Sequence, residues 1–190
     1  MKHKGWHSRG YLPHLDAPGL IQAVTFRLAD ALPASVLKAW RMEDLEDEAM
    51  RRRVAAYLDS GRGSCCLGDP RAARVVADHL LTFKGERYRL HAWVVMPNHV
   101  HAVVETFDGW PLGNVVGYWK GSSARAINRV LGLEGRLWQP GYFDRYIRDE
   151  EHLHRAVLYV VENPVRAGLV QKPEDWVFSS AGWRGGNHAG

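Results

Sequence analysis

Residues 89–105, RLHAWVVMPNHVHAVVE, constrain this chain more than any other stretch. Two apolar, β-branched runs, Arg89–Val95 and Val100–Val104, flank Met96-Pro97-Asn98 and together predict an antiparallel hairpin. Pro97 has no N–H to give to a ladder, so it belongs in the turn. The second strand opens on His99-Val100-His101. Side chains two apart leave a strand on the same face, roughly 6.6 Å apart along it, so both imidazoles can converge on one metal ion. The same pattern fits two polar residues on a solvated face, and the hairpin alone does not choose between them.

The rest of the chain sets bounds on what surrounds this hairpin. With 46% hydrophobic residues over 190 positions, the sequence can bury a core and is not of the disordered class. That length predicts a single domain over residues 1–190, with a core at about 19–170 and a C-terminal tail at 171–190. A net charge of +4 suits a polyanionic partner. The two cysteines, Cys65 and Cys66, are adjacent and have no partner elsewhere, which predicts a reduced, cytoplasmic protein. No apolar run approaches a membrane span, and the start MKHKGWHSRG lacks a hydrophobic signal core, so no membrane partner is expected.

In chain order, residues 1–18 read as an arm that becomes a strand, and Gly19–Ala29 as the first strand of the core. Leu32–Ser60 reads as one helix with Pro33 in its first turn. Gly61–Pro70 lacks the Lys-Ser/Thr ending of a phosphate loop and carries no nucleotide role. Asp69 and Pro70 predict a capped helix to Phe83. After the hairpin comes a helix over Leu112–Leu131, then a strand near Tyr142–Ile147. A last helix over Glu150–Asn163 is expected to stop before Pro164. Gly168-Leu169-Val170 then begins the exit as a short edge strand, and the tail beyond Trp176 and Phe178 frays through RGGNHAG. This order predicts an α+β fold: a ferredoxin-like antiparallel sheet with helices packed on one face.

Two further stretches bear on chemistry. In RLWQPGYFDRYIRD, 136–149, aromatic rings interleave with arginines, a pattern that suits unpaired bases stacking while phosphates meet cations. It equally fits a half-buried strand, and the two readings are compatible. Lys120, Arg125, Arg145 and Arg148 are candidates for phosphate contacts, and Trp138 for base stacking. In the last helix, Tyr159 and Asn163 stand at i and i+4 on one face, with His152 and Ala156 on the same stripe. If that helix packs beside the hairpin, the amide oxygen of Asn163 completes a three-ligand set with His99 and His101, and Tyr159 hangs next to the ion.

MPNHVHAVVE resembles the His-hydrophobe-His signature of single-tyrosine, HUH-type transposases. WQPGYFDRYIRD, followed by LYVVENPVRAGLV, resembles the C-terminal half of the REP-associated tyrosine transposases, and DWVFSSAGW is similar to their tail. The three blocks occur in order, and the similarity runs from about Gly19 to Trp183. The resemblance implies His99 and His101 as metal ligands, Asn163 as the third, and Tyr159 as nucleophile. Many members of the wider superfamily carry Gln where this chain has Asn163. Implied with the ligands are Mg²⁺ or Mn²⁺ as cofactor and single-stranded DNA beside a hairpin as substrate. The reaction implied is cleavage and joining through a covalent 5′-phosphotyrosine. A monomer is favoured, a shared-site dimer being the variant seen in the wider superfamily. The competing reading is a non-catalytic binder of structured single-stranded nucleic acid that keeps the fold.

Overall fold

The computed structural model describes residues 5–8, 13–41, 43 and 47–184. Within them, β1 (Gly5–Ser8) and β2 (Pro13–Asp16) form a separate two-stranded ribbon. The core sheet comprises β3 (Ile21–Arg27), β4 (Tyr88–Val95), β5 (His99–Thr106) and β6 (Phe143–Tyr146). Its order is β4-β5-β3-β6 and every neighbouring pair is antiparallel. That is the ferredoxin-like order with two central strands, β5 and β3.

Alternation along the strands sorts their side chains to two faces. Val24 and Phe26 of β3 join Val100, Ala102 and Val104 of β5 in the main core. Helices α3 (Pro70–Leu81) and α4 (Leu112–Leu131) pack on this face. Trp119 of α4 ties the layers together: its Nε1 donates to Tyr88 Oη at 3.0 Å, and Tyr88 Oη donates to the Leu80 carbonyl at 2.9 Å. A buried ring of this size removes about 150–250 Å² from water. As expected, Asp69 caps α3, its carboxylate accepting from Arg71 N at 2.9 Å.

The opposite face of the sheet belongs to α5 (Glu150–Arg166), whose Val160 packs with Ala92, Val94, Met96 and Val103. The helices are therefore divided, where one shared face was expected: α3 and α4 pack on one face of the antiparallel sheet, and α5 covers the other. This division decides the site, because His99 and His101 alternate with the core residues of β5 and so project toward α5.

Three expectations about the elements need correcting. The stretch 32–60 holds two helices, α1 (Ala34–Arg41) and α2 (Asp47–Asp59), where one was expected. In one straight helix Trp40 and Tyr57 would be about 25 Å apart. Their rings instead meet edge-on at 5.4 Å, because both halves have apolar residues to bury on one core. Helix α5 runs through Pro164 to Arg166. The stop signal is Gly168, which takes a left-handed φ of 70° just beyond the last turn, while Leu169 N donates to the Pro164 carbonyl at 2.9 Å. For the same reason Gly168-Leu169-Val170 forms a turn and no strand.

The edge of the sheet is closed further on. Val95 N donates to the Phe178 carbonyl and Ser180 N to the Trp93 carbonyl, so residues 178–180 run along β4. Trp176 Nε1 donates to the Val95 carbonyl at 2.9 Å, and Trp183 meets Trp93 edge-on. Gly182 makes the tight return possible, since a Cβ there would stand 2.2 Å from the Trp176 carbonyl oxygen. The expected fraying of RGGNHAG falls on residues 185–190, which lie outside the described residues apart from Arg184. No helix among the described residues is long and apolar enough to cross a membrane.

Candidate active site

The hairpin turn is fastened on several sides. Met96 N donates to the His99 carbonyl at 2.8 Å, Leu28 N to that of Asn98, and Leu67 N to that of Pro97. Asn98 is buried, and its Nδ2 donates to two carbonyls at the end of α2 and just past it, Leu58 at 3.0 Å and Arg62 at 2.9 Å. Those carbonyls can only accept, so the amide orientation is fixed and Oδ1 faces His99 Nδ1 at 2.6 Å. His99 must then carry its proton on Nδ1, which leaves Nε2 with a free lone pair aimed into the site.

His101 is oriented from the neighbouring strand. Thr25 is its register partner on β3, and Thr25 Oγ1 lies 2.7 Å from His101 Nδ1. A hydroxyl can donate or accept, so His101 is free to present either tautomer. His99 Nε2 and His101 Nε2 stand 3.0 Å apart. Two lone pairs cannot face each other at that distance. Either His101 turns its Nε2–H toward His99, or a cation lies between them and Thr25 accepts the proton of Nδ1.

Asp59, the last residue of α2, brings a carboxylate to the pair, its Oδ1 3.6 Å from His99 Nε2. One ligand atom from each of Asp59, His99 and His101 lies within 4.8 Å of the others. From the α5 side, the Tyr159 ring meets the His101 ring edge-on at 5.4 Å between centroids. Asn163, one turn further, is fully buried beside the Asp59 carboxylate and the Tyr159 phenol, yet neither of its amide atoms closes an ordinary hydrogen bond. Asp59 Oδ1 is likewise buried without a hydrogen-bond partner. Such groups cost about 1–3 kcal/mol each when left unsatisfied, so this cluster of hard oxygens and lone pairs fits a divalent cation.

The electrostatics agree. Burial holds both imidazoles below the usual histidine range, His101 at about 3, and so keeps them in the neutral, ligating form. Burial raises the Asp59 carboxyl, with the nearby charge of Arg166 and the Asn163 amide opposing it. Burial also raises the Tyr159 phenol, Asp59 adds to the rise, and Arg166 and Asn163 oppose it. The un-ionised phenol is therefore favoured here more than in water.

The structure thus gathers His99, His101, Asn163 and Tyr159, all expected, around one point. Asp59 was not expected there. One signal did exist: a carboxylate at a helix C-terminus opposes the helix dipole, and α2 has no basic residue in its last turn to offset it. Asn98 and Thr25 read from sequence only as turn and strand residues. The expected DNA-binding residues are scattered. Arg145 and Arg148 are exposed, and Arg145, paired with Ala23, projects from the same sheet face as the histidines. Arg125 is exposed on α4. Lys120 is turned inward, its Nζ donating to the Gln139 carbonyl at 2.7 Å and to that of Gly141, so it fastens a loop. Trp138 is 5% exposed, packs edge-on against Phe26 and donates from Nε1 to Ser123 Oγ. As folded, its ring offers no open face to a base. His152, on the Tyr159 stripe, accepts at Nδ1 from Arg148 N at 3.4 Å near the start of α5.

Residues 77–163 match the family described as Transposase IS200 like. Over part of its length the chain is 29% identical to the REP-associated tyrosine transposase of Escherichia coli, covering 49% of this chain and 54% of that protein. It is 28% identical to a putative REP-associated tyrosine transposase of Haemophilus influenzae, covering 45% and 54%. Over these stretches the chain is similar to REP-associated tyrosine transposases. It spans about half the length of the curated relatives it matches. A solved REP-associated tyrosine transposase bound to a REP hairpin shares the fold, with a TM-score of 0.60 at 18% identity over 90% of this chain and 82% of that one. The segment matching the transposase family contains His99, His101, Tyr159 and Asn163, whereas Asp59 and Arg166 lie outside it.

Proposed function

We propose that this protein is a metal-dependent single-stranded DNA endonuclease and strand transferase, acting near hairpin DNA through a covalent 5′-phosphotyrosine. The observation that carries the reading is the 5.4 Å edge-on contact between the Tyr159 and His101 rings, beside the orphaned amide of Asn163. It supports a reading in which a helix brings the nucleophile beside metal ligands carried on a sheet.

His99, His101 and Asn163 would hold the cation, with Asp59 in reach as a further ligand. A divalent cation there, Mg²⁺ or Mn²⁺, would polarise a phosphate oxygen and favour the ionised phenol. The chain's own part is positioning. Asn98 and Thr25 orient the imidazoles, and α5 holds Tyr159 Oη for attack. The Oη–P bond forms as the P–O3′ bond breaks, the phenolic proton passes to solvent, and the 3′-oxygen takes up a proton. One ester replaces another, so the step is reversible and strands can be rejoined.

Hairpin DNA as partner is supported by the relative bound to a REP hairpin and by the exposed Arg145 and Arg148. The covered edge of β4 supports a monomer, and a DNA substrate supports a cytoplasmic location. The test is incubation with a labelled hairpin carrying single-stranded flanks and Mn²⁺. An SDS-resistant adduct should form with the wild type and be absent with Tyr159→Phe, while both bind the DNA. Tight binding by the wild type with neither adduct nor cut strand would establish the non-catalytic binder instead.

A further inference from the structure

Among the described residues Arg166 is the one strongly basic group held directly against Tyr159, and the reaction outlined above leaves it without a role. It lies in the last turn of α5, exposed to solvent. A helix-terminal arginine ordinarily reaches the last carbonyls of its helix or extends into water. This one folds back seven residues: its Nη2 donates to the Tyr159 carbonyl at 2.6 Å. Its guanidinium carbon sits 4.0 Å from the centroid of the Tyr159 ring. The two restraints hold a long side chain over the ring of the nucleophile. Its charge is felt by Asp59, His101 and Tyr159 alike. Among the described residues its other N–H donors meet no acceptor. A planar fork of donors, solvent-facing and fixed beside a nucleophile, matches two oxygens of a phosphodiester.

We propose that Arg166 is a catalytic residue that binds the non-bridging oxygens of the phosphate attacked by Tyr159. The assignment rests on the tyrosine-transfer reading above. As the Oη–P bond forms and the P–O3′ bond breaks, negative charge gathers on those oxygens, and a guanidinium already in place stabilises it without rearrangement. Arg166 stays protonated throughout and takes no part in the proton movements. The stacking of the guanidinium on the ring gives the second half of the geometry, since it holds ring and phosphate together.

The test compares single-turnover adduct formation by wild type, Arg166→Ala and Arg166→Lys, with Mn²⁺, on two hairpin substrates. One carries the normal scissile phosphate and the other a neutral methylphosphonate at that position. On the normal substrate Arg166→Ala should slow adduct formation about 100-fold, and Arg166→Lys should recover only part of the loss. Thermal midpoints and Mn²⁺ affinity should stay close to wild type. On the methylphosphonate the difference between wild type and Arg166→Ala should collapse. Equal losses on both substrates, or no loss on either, would overturn the assignment and leave Arg166 a helix-end brace. Absence of any adduct with wild type on the normal phosphate would instead sink the tyrosine-transfer reading, and this assignment with it.

Discussion

His99 Nδ1 lies 2.6 Å from Asn98 Oδ1, and the amide that makes this contact is locked by two carbonyls at the end of α2. One side chain thereby sets the tautomer of a metal-ligand candidate and anchors a helix end to the hairpin turn. Asn98→Ala removes three hydrogen bonds at a buried position. It should cost about 3 kcal/mol by urea denaturation, since each bond contributes roughly 1 kcal/mol. Mn²⁺ affinity, measured by calorimetry, should fall about 10- to 100-fold because His99 loses its orientation.

Acid should unfold this protein through its histidines. His99 and His101 are held neutral in the fold, His101 to about pH 3, whereas the unfolded chain protonates them near their ordinary value of 6.5. Below that value the unfolded state binds the extra protons, so stability is present above it and is lost as pH falls. Each histidine contributes a slope of about 1.4 kcal/mol per pH unit in this window. Metal-free protein followed by urea melts from pH 7 to 4 should show this decline, and the double variant His99→Gln/His101→Gln should flatten it.

Asp59 titrates with the opposite sign. Its carboxyl is raised in the fold, so its contribution is intact below the ordinary carboxylate value and lost as pH rises through the folded one. It also faces an unfavourable helix end. Asp59→Asn should therefore stabilise the metal-free protein at pH 7, by about 0.3–1 kcal/mol from the dipole alone. The same variant should bind Mn²⁺ at least 10-fold more weakly. A thermal melt with and without Mn²⁺ checks both signs in one experiment, and loss of stability without metal would show Asp59 to be a structural group.

Lys120 and Arg145 should separate cleanly although both are basic. Arg145 is exposed on the histidine face, and Arg145→Ala should lower the salt slope of DNA binding by about 1. Lys120 holds the Gln139 and Gly141 carbonyls and is pushed down to about 8 by burial and by Arg27. Lys120→Ala should lower the melting temperature and leave the salt slope unchanged.

Much of this was legible in the chain because it depends on short-range pattern. Alternation about Met96-Pro97-Asn98 gave the hairpin, and the Asp69-Pro70 pair gave the start of α3. The i,i+4 spacing of Tyr159 and Asn163 put both on the face that meets the histidines. What stayed hidden depends on chain reversal and burial. The stretch joining α1 to α2 in sequence has no glycine or proline, so nothing local showed that Asp59 returns to the sheet. Trp138 and Lys120 looked like nucleic-acid contacts because rings and cations alternate there. Packing turned one into core and the other into a fastening. Pro164 read as a stop, although a proline so near the end disturbs little when Gly168 supplies the left-handed residue.

The return of residues 178–180 along β4 matters beyond the chain itself. Strand-to-strand joining between copies needs a row of amides with nobody attached, and on that side the chain has already answered its own need. Gly182 is the pivot of that arrangement, so a methyl group there would not simply loosen a loop. It would uncap a hydrogen-bonding rail along β4 and leave those amides open to a strand from another copy.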